Sequence, residues 1–599
     1  MTILGFDFGT TFSTVCVASS GEISMLNNDG SEFIPTIIGF SKMGGTCAYG
    51  YNVIDSEGYG LQEYYVYKDL KRWIGCDSKT IVERKNRLRP LYDVECSGDQ
   101  FSFRLRPAFG IGPFRNLHEL VSIYVGVVIR DFEKVRGFSC SGIVVSVPSQ
   151  YSSTQRLFMK SIEKRLGIPV LHVMNEPSAA LFSSILDRER IERWDSYIVY
   201  DFGGGTFDSS IVIRYDNYFS VIYSGGDDNL GGRNIDEAIR EFLIDKYSLP
   251  RDSNIVTSKL KEEVSISKRT SSLLFNGRRL ELTYEQLNDI CKPFLLRSFS
   301  ILNQVVRDSR VQGRLTLVPA GGSSFLPNAV SLAKRNVSSV KDIIVTPRAR
   351  SSIAEGCALF SATLSESSVL FVDCINSNIT TNKGLYQVGI IVAAGSALPL
   401  KSKVSGHYPD QYVMFTLAIY EGNSNRNIYN HNLFKKEIRH TTLGYSSGAW
   451  GWKAYIEVDS SGIILVRITS SEDTNVVVET IDSPNFQLLN LPPVVSTGTS
   501  SVTDLALFND FLAGCYIEKS LLHNLDIFTQ REYLQYVERF AQFYLPSSFS
   551  AILDASSYDG VTSIQDYFSI RRHLPEFLRS PEYTTFARRR KISLPESET

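Results

Sequence analysis

The sequence predicts an α/β protein built from two related lobes, followed by a β domain and a helical C-terminal region. Three observations carry that prediction. One hairpin pattern occurs twice, once around residue 7 and once around residue 201. Strand-like runs alternate with amphipathic helix patterns over residues 1–364. After Leu364-Ser-Glu-Ser-Ser368 strand patterns dominate, and helical periodicity returns beyond residue 500.

The first hairpin is Ile3-Leu-Gly-Phe-Asp7-Phe-Gly9-Thr10-Thr11-Phe12-Ser13, running into Thr14-Val-Cys-Val17. The second is Tyr197-Ile-Val-Tyr-Asp201-Phe-Gly203-Gly204-Gly205-Thr206-Phe207-Asp208, running into Ser210-Ile-Val-Ile213. Each is an apolar β run, an aspartate, a Gly/Thr turn and a second β run. The repetition predicts two lobes that donate one hairpin each to a shared cleft. In Asn234 to Tyr247, the residues Ile235, Ile239, Phe242 and Leu243 fall on one helical face. The clearest later strands are Tyr386 to Val392, Val413 to Tyr420, Ala454 to Val458 and Gly462 to Thr469. Leu491-Pro-Pro-Val-Val-Ser-Thr-Gly-Thr-Ser500 reads as a loop. Beyond it, Thr529-Gln-Arg-Glu532 reads as a capping box opening a helix with the stripe Leu534, Val537, Ala541 and Tyr544, stopped by Pro546. The expected division is residues 1–364, a linker 365–372, a β domain 373–490 and a divergent helical region 491–599.

A chain of 599 residues exceeds what one hydrophobic core fills. Its 43% hydrophobic and 21% charged residues exclude disordered and collagen-like classes. The 62 basic and 64 acidic residues leave a net charge of −2, which argues against a nucleic-acid-coating protein. Nine cysteines without a CxxC pair fit free thiols in a reducing compartment and disfavour a structural zinc. MTILGFDFGTTFS lacks the basic and apolar regions of a signal peptide, and no uncharged apolar run reaches spanning length. A soluble, cytoplasmic protein without a membrane span is expected. The run Arg588-Arg-Arg-Lys591 reads as a solvated tail rather than an RNA contact.

The hairpins suit a nucleoside triphosphate. Binding phosphates through backbone N–H groups needs close approach, which Gly9-Thr10-Thr11 and Gly203-Gly204-Gly205-Thr206 permit. Asp7 and Asp201 end buried strands, where they can hold the water shell of Mg²⁺. A protein kinase is excluded, because DFG occurs twice without a VAIK strand or an HRD loop. A P-loop is absent from the sequence too.

DFGTTFS (Asp7 to Ser13) and DFGGGTFD (Asp201 to Asp208) resemble the two phosphate loops of the heat-shock-70 chaperone family. Further segments resemble that family in order: Lys71-Arg72-Trp-Ile-Gly75, Val147-Pro148 with Gln155-Arg156, Asn175-Glu176-Pro177-Ser178-Ala179-Ala180, Gly226-Asp227 with Leu230-Gly231-Gly232, and Gly321-Gly322-Ser323-Ser324 with Leu326-Pro327. The resemblance continues through Leu370-Phe-Val-Asp373, Tyr420-Glu421-Gly422 and Asp459-Ser-Ser-Gly462-Ile-Ile-Leu-Val466. It covers about residues 1–480 and implies an actin-like, two-lobed ribonuclease-H-like ATPase domain followed by a β-sandwich. By the same resemblance, Lys71, Glu176, Asp201, Thr206 and Asp208 are catalytic, and Asp7 and Asp201 organise Mg²⁺. ATP or ADP would meet Gly9, Thr10, Thr11, Phe12, Lys71, Gly203, Gly204, Gly205, Thr206, Gly226, Lys268, Arg269, Ser272, Gly321, Gly322, Ser323 and Phe325. Pro148, Arg156 and Asp373 are the expected relay between domains.

The adenosine side departs from the family. Ser265 stands where a ribose-contacting glutamate is expected, Phe325 replaces an arginine, and Arg348 follows Thr346-Pro347 in place of an aspartate. Phe325 or Arg269 is expected to stack on adenine. With these departures, and the ending Leu594-Pro-Glu-Ser-Glu-Thr599 in place of EEVD, the chain resembles the homologues encoded by closteroviruses. That implies virion tail assembly and cell-to-cell movement, with capsid and other virion tail proteins as partners and cytoskeletal or plasmodesmal components as further candidates. The implied locations are host cytoplasm, virion and plasmodesmata. The alternatives are a general ATP-dependent chaperone and a structural virion component with a vestigial ATPase.

Overall fold

The computed structural model describes residues 2–506 apart from 20–21, 29–30, 56–57, 60–61, 91, 108–111, 187–193, 216–217, 252, 254, 345–348, 367–369, 384–386, 472, 474–475, 481–482 and 496–500. Lobe I begins with the first hairpin, β1 (Thr2–Asp7) and β2 (Phe12–Ser19), and continues into β3 (Glu22–Asn27). A long helix α1 (Leu117–Arg136) leads to β4 (Cys140–Val147), α2 (Ser153–Leu166) and β5 (Val170–Asn175). The sheet order is β5-β4-β1-β2-β3, with β4 parallel to both β1 and β5. The side chains of Ile143, Val144, Val145 and Val147 are fully buried, as a parallel strand covered on both faces requires. Local sequence sets the helix ends. Asn116 caps α1, Ser152 and Gln155 form a capping box on α2, and Gly137 and Gly167 close them in left-handed conformations.

A helix α3 (Glu176–Leu186) crosses to lobe II. There the second hairpin is β6 (Trp194–Phe202) and β7 (Phe207–Tyr215), followed by β8 (Tyr218–Asp227), α4 (Gly232–Tyr247), α5 (Ser258–Ser267), α6 (Tyr284–Ser309), β9 (Leu315–Ala320) and β10 (Val340–Ile343). In α4 the expected apolar face is real: Ile235, Ile239 and Leu243 are buried. A last helix, α7 (Ser352–Glu366), returns between the lobes, and β11 (Leu370–Val372) completes the sheet β10-β9-β6-β7-β8-β11. α3 and α7 pack on each other, so Ala179, Phe182, Ala354 and Ala358 share one core with Cys16 of lobe I and Val199 of lobe II. Glycine makes that approach possible, since a Cβ on Gly5 would strike Ala358 and one on Gly356 would strike Ala179.

The third body is a β-sandwich of two antiparallel four-stranded sheets. One contains β12 (Ile379–Lys383), β13 (Gln387–Val392), β15 (Met414–Glu421) and β16 (His431–Arg439). The other contains β14 (Leu400–Tyr408), β17 (Trp450–Val458), β18 (Ile464–Ser470) and β19 (Val476–Thr480). Between them Phe415 stacks on Trp452 with ring centres 4.4 Å apart. The sandwich seats on lobe I. Glu421 Oε2 accepts from the Ser153 N–H at 2.9 Å, and Arg156 donates to Ser461 O at 3.3 Å. Asp373, just past β11, accepts from Ser178 Oγ at 2.6 Å.

Of the expected C-terminal region 491–599, residues 491–495 and 501–506 are described. Residues 483–495 run extended across lobe I, and β20 (Ser501–Ala506) adds to the free edge of β3 in antiparallel register. Pro492-Pro493 removes two amide donors and forbids a helix there. Residues 507–599, with the capping box at Thr529, Cys515 and the basic run at Arg588, lie outside the described residues, as does Thr346-Pro347-Arg348. Among the described residues no helix is long and apolar enough to cross a membrane.

Candidate functional site

Each hairpin delivers an aspartate and a turn to the cleft between the lobes, and the two turns face each other. A Cβ on Gly205 would lie 2.6 Å from Thr10 Oγ1, and one on Gly204 would collide with Thr11. Gly231 packs as tightly behind, its Cβ position 2.6 Å from Gly205 N. Side chains at these positions would wedge the lobes apart, so glycine here sets the width of the cleft. Ser323 Oγ ties the third loop in, donating to Gly203 O at 2.9 Å, and Gly321 adopts φ +74° with its Cβ position 2.7 Å from Asp201 Oδ1.

Five ionisable groups converge beneath the turns. Lys71 lies on a short 3₁₀ turn, Leu70–Trp73, and Glu176 is the first residue of α3; both are 6% exposed and their charged ends pair across the cleft floor. Burial lowers the Lys71 ammonium, but Glu176, Tyr151 and Asp7 outweigh it and hold the pKa above its ordinary value. Asp7 accepts from Ser146 Oγ at 2.9 Å; burial and the Glu176 charge push it up to about 7. Asp208 accepts from Ser149 Oγ at 2.7 Å and is pushed up to about 6 by burial and Glu176. Asp201 is 2% exposed, and neither carboxylate oxygen has a hydrogen-bond partner. Burial, then Glu176, Asp208 and Asp7, raise it well above the carboxylate range.

Such a site is short of positive charge. A buried carboxylate with both oxygens unsatisfied is costly alone and fits a hydrated cation. Among the described residues no three His, Cys, Asp or Glu side chains converge to hold a metal by themselves.

Thr206 lines a small cavity with Thr10, Lys71, Pro148, Tyr151 and Gly205. Gly226 pairs with Asp208 in the sheet register, and its Cβ position is 3.2 Å from Asp208 Oδ1. The remaining sequence candidates are placed differently. Lys268, in a left-handed conformation, ends α5 and stands exposed with Arg269; Ser272 is half-buried on the strand Ser271–Phe275. Ser265 back-bonds to Lys261 O at 2.8 Å, and Phe325 is 49% exposed.

Several contributors escaped the sequence reading. Ser146 and Ser149 fix the two aspartates, and the second sits one residue past the quoted Val147-Pro148. Lys261, buried on α5, donates to Gly232 O at 3.1 Å and pairs with Asp236 at 2.8 Å. Arg350, beside Gly322, places its guanidinium 5.0 Å from the Phe12 ring and 4.0 Å from the Phe33 ring. Since Phe12 and Phe33 belong to lobe I, it closes the cleft mouth from the lobe II side. Arg87 with Asp228, Arg72 with Asn229 and Arg233 with Asp69 bridge the lobes beside Lys71.

The family model described as Hsp70 protein matches residues 3–488. The chain is 33% identical over 474 residues to the movement protein Hsp70h of Beet yellows virus (isolate Ukraine), covering 75% of this chain and 78% of that one. It is 28% identical over 520 residues to the movement protein Hsp70h of Lettuce infectious yellows virus, covering 85% and 91%. The heat shock cognate HSP70 protein of Trypanosoma brucei brucei is 26% identical over 521 residues, covering 81% and 75%. With the paired hairpins, the two-lobed cleft and a family match running from β1 to beyond the sandwich, this chain belongs to the Hsp70 protein family.

Proposed function

We propose that this chain is a Mg²⁺-dependent ATPase whose nucleotide cycle serves virus movement between cells and assembly of the virion tail. The observation that carries the ATPase reading is the meeting of the two glycine turns over the Lys71–Glu176 pair. Backbone N–H groups of Gly9 to Thr11 and Gly203 to Gly205 receive the phosphate oxygens. Lys71 brings positive charge to the transferring phosphoryl group. Glu176 accepts a hydrogen bond from the attacking water and orients it, while Asp208 and Thr206 line the reacting centre. Asp7 and Asp201 would hold Mg²⁺, which when bound would supply positive charge against the phosphates. The reaction rests on positioning and charge rather than on a covalent intermediate.

The movement role is supported by the names of the viral relatives. Capsid and virion tail proteins are the proposed partners, with host cytoplasm and plasmodesmata as the places of action. A second reading, a structural virion component with a vestigial ATPase, draws on the exposed Phe325, Lys268 and Arg269. One experiment separates the readings: ATP turnover by the purified chain beside Lys71→Ala, and viral movement with Glu176→Ala. Turnover lost in the first and movement lost in the second support the proposal. Undiminished movement with Glu176→Ala supports the structural component.

A further inference from the structure

The sandwich is tethered at both ends, and the two tethers belong to different lobes. Its N-terminal tether is β11, which among the described residues lies in the lobe II sheet through three register pairs with β8, Tyr218 to Leu370, Phe219 to Phe371 and Ser220 to Val372. Its C-terminal tether is the extended segment from Ser483 to Val495 and the strand β20, all on lobe I.

The second tether is fitted along its length. Phe486 stacks on His118 with ring centres 4.2 Å apart, and the Arg165 guanidinium covers its ring at 4.3 Å. The Leu489 N–H donates to Arg165 O at 2.8 Å, the Cys47 N–H to Pro493 O at 2.9 Å, and the Val495 N–H to Cys47 O at 2.8 Å. Arg130 donates to Leu491 O and Pro492 O at 3.3 and 2.9 Å. A Cβ on Gly126 of α1 would stand 2.9 Å from Leu491 Cδ1, so the helix surface is cut to admit this leucine. β20 then adds six register pairs to β3.

We infer that this strap makes the sandwich a standing part of lobe I, and that movement between the lobes is taken up at the β11–β8 pairing rather than by release of the sandwich. The inference goes beyond the proposed ATPase and does not require hydrolysis. The half-dozen residues from Thr480 to Phe486 span at most about 20 Å when fully extended. A sandwich that lifts off its seat stays within that reach, at an effective concentration on the order of millimolar, and re-seats. Three pairs in an edge strand are the weaker joint.

The test uses the full chain and amide hydrogen exchange without nucleotide, with Mg·ADP and with Mg·ATP. The Ser153 amide, which donates to Glu421, reports the seat; the Leu489 and Val495 amides report the strap; the Ile198 amide in β6 reports global folding. The expected result is that seat and strap amides stay protected in all three conditions while exchange changes at Phe371 and Val372. Phe486→Ser and Leu491→Asp each raise Ser153 exchange about tenfold or more with Ile198 unchanged. Should either variant unfold, so that Ile198 is exposed, the wild-type comparison decides alone. Opening of the Ser153 amide in the wild-type chain under any nucleotide overturns the inference, as does unchanged Ser153 protection in both folded variants. A fluorescent ADP analogue is titrated alongside: failure to bind removes the ATPase proposal, while the strap is still judged on the nucleotide-free samples.

Discussion

The two halves of the cleft, the one proposed to take phosphate and the one proposed to take adenosine, are built by opposite rules. On the phosphate side the charged groups are buried, and all but Asp201 have a side-chain partner: Lys71 on Glu176, Ser146 on Asp7, and Ser149 reaching from lobe I to Asp208 of lobe II. On the adenosine side Lys268 and Arg269 stand in solvent, Phe325 is half in water, and Arg350 bridges the lobes from a position the motifs do not mark. Burial multiplies the value of a charge and the penalty for misplacing it, so the phosphate side tolerates little change. An exposed base pocket contributes affinity only, and can be rebuilt from other residues.

The comparison breaks first at Lys71. Lys71→Ala leaves Glu176 buried without its cation, and steady-state turnover is expected to fall on the order of 10²- to 10³-fold. Gly205→Val comes next. Its side chain would meet Thr10 within 2.6 Å of Cβ and part the turns, so fluorescent-ADP binding is expected to weaken roughly 30-fold, with the thermal midpoint recording any loss of folding. At the mouth, Arg350→Ala removes two cation–ring contacts, and stopped-flow release of ADP is expected to quicken about tenfold while single-turnover chemistry stays unchanged. The smallest effect belongs to Arg269→Ala, where affinity is expected to change less than about twofold. A loss there as large as that of Lys71→Ala would erase the distinction between the two halves.

The hairpins were legible because each is local: aspartate, glycine turn and two β runs lie within a dozen residues, and backbone geometry dictates their composition. The face of α4 was legible for the same reason. Arg350 was not, since its partners Phe12 and Phe33 lie more than three hundred residues away and no spacing rule connects them. Lys261 was not legible either, because only the fold brings Gly232 and Asp236 over it. The strap read as a loop. Leu489, Leu491 and Val494 are too sparse for either a helical or a strand period, and their order comes from the lobe I surface they cover.

The seam between sandwich and lobe I has a chemical Achilles heel in its imidazoles. His172 sits under Ser461, and burial together with Arg156 and Lys160 pushes its pKa down to about 3. His118, beneath Phe486, is pushed down to about 3 as well, by burial and by Arg165. Both are neutral when seated, while an exposed histidine takes a proton near pH 6.5. The seated form thus binds fewer protons, so its stability is complete above pH 6.5 and declines as the pH falls towards 3. At pH 5 each ring would cost up to about 2 kcal/mol. Acid should loosen seam and strap together, over a pH range in which Asp7 and Asp208 in the cleft take up protons as well.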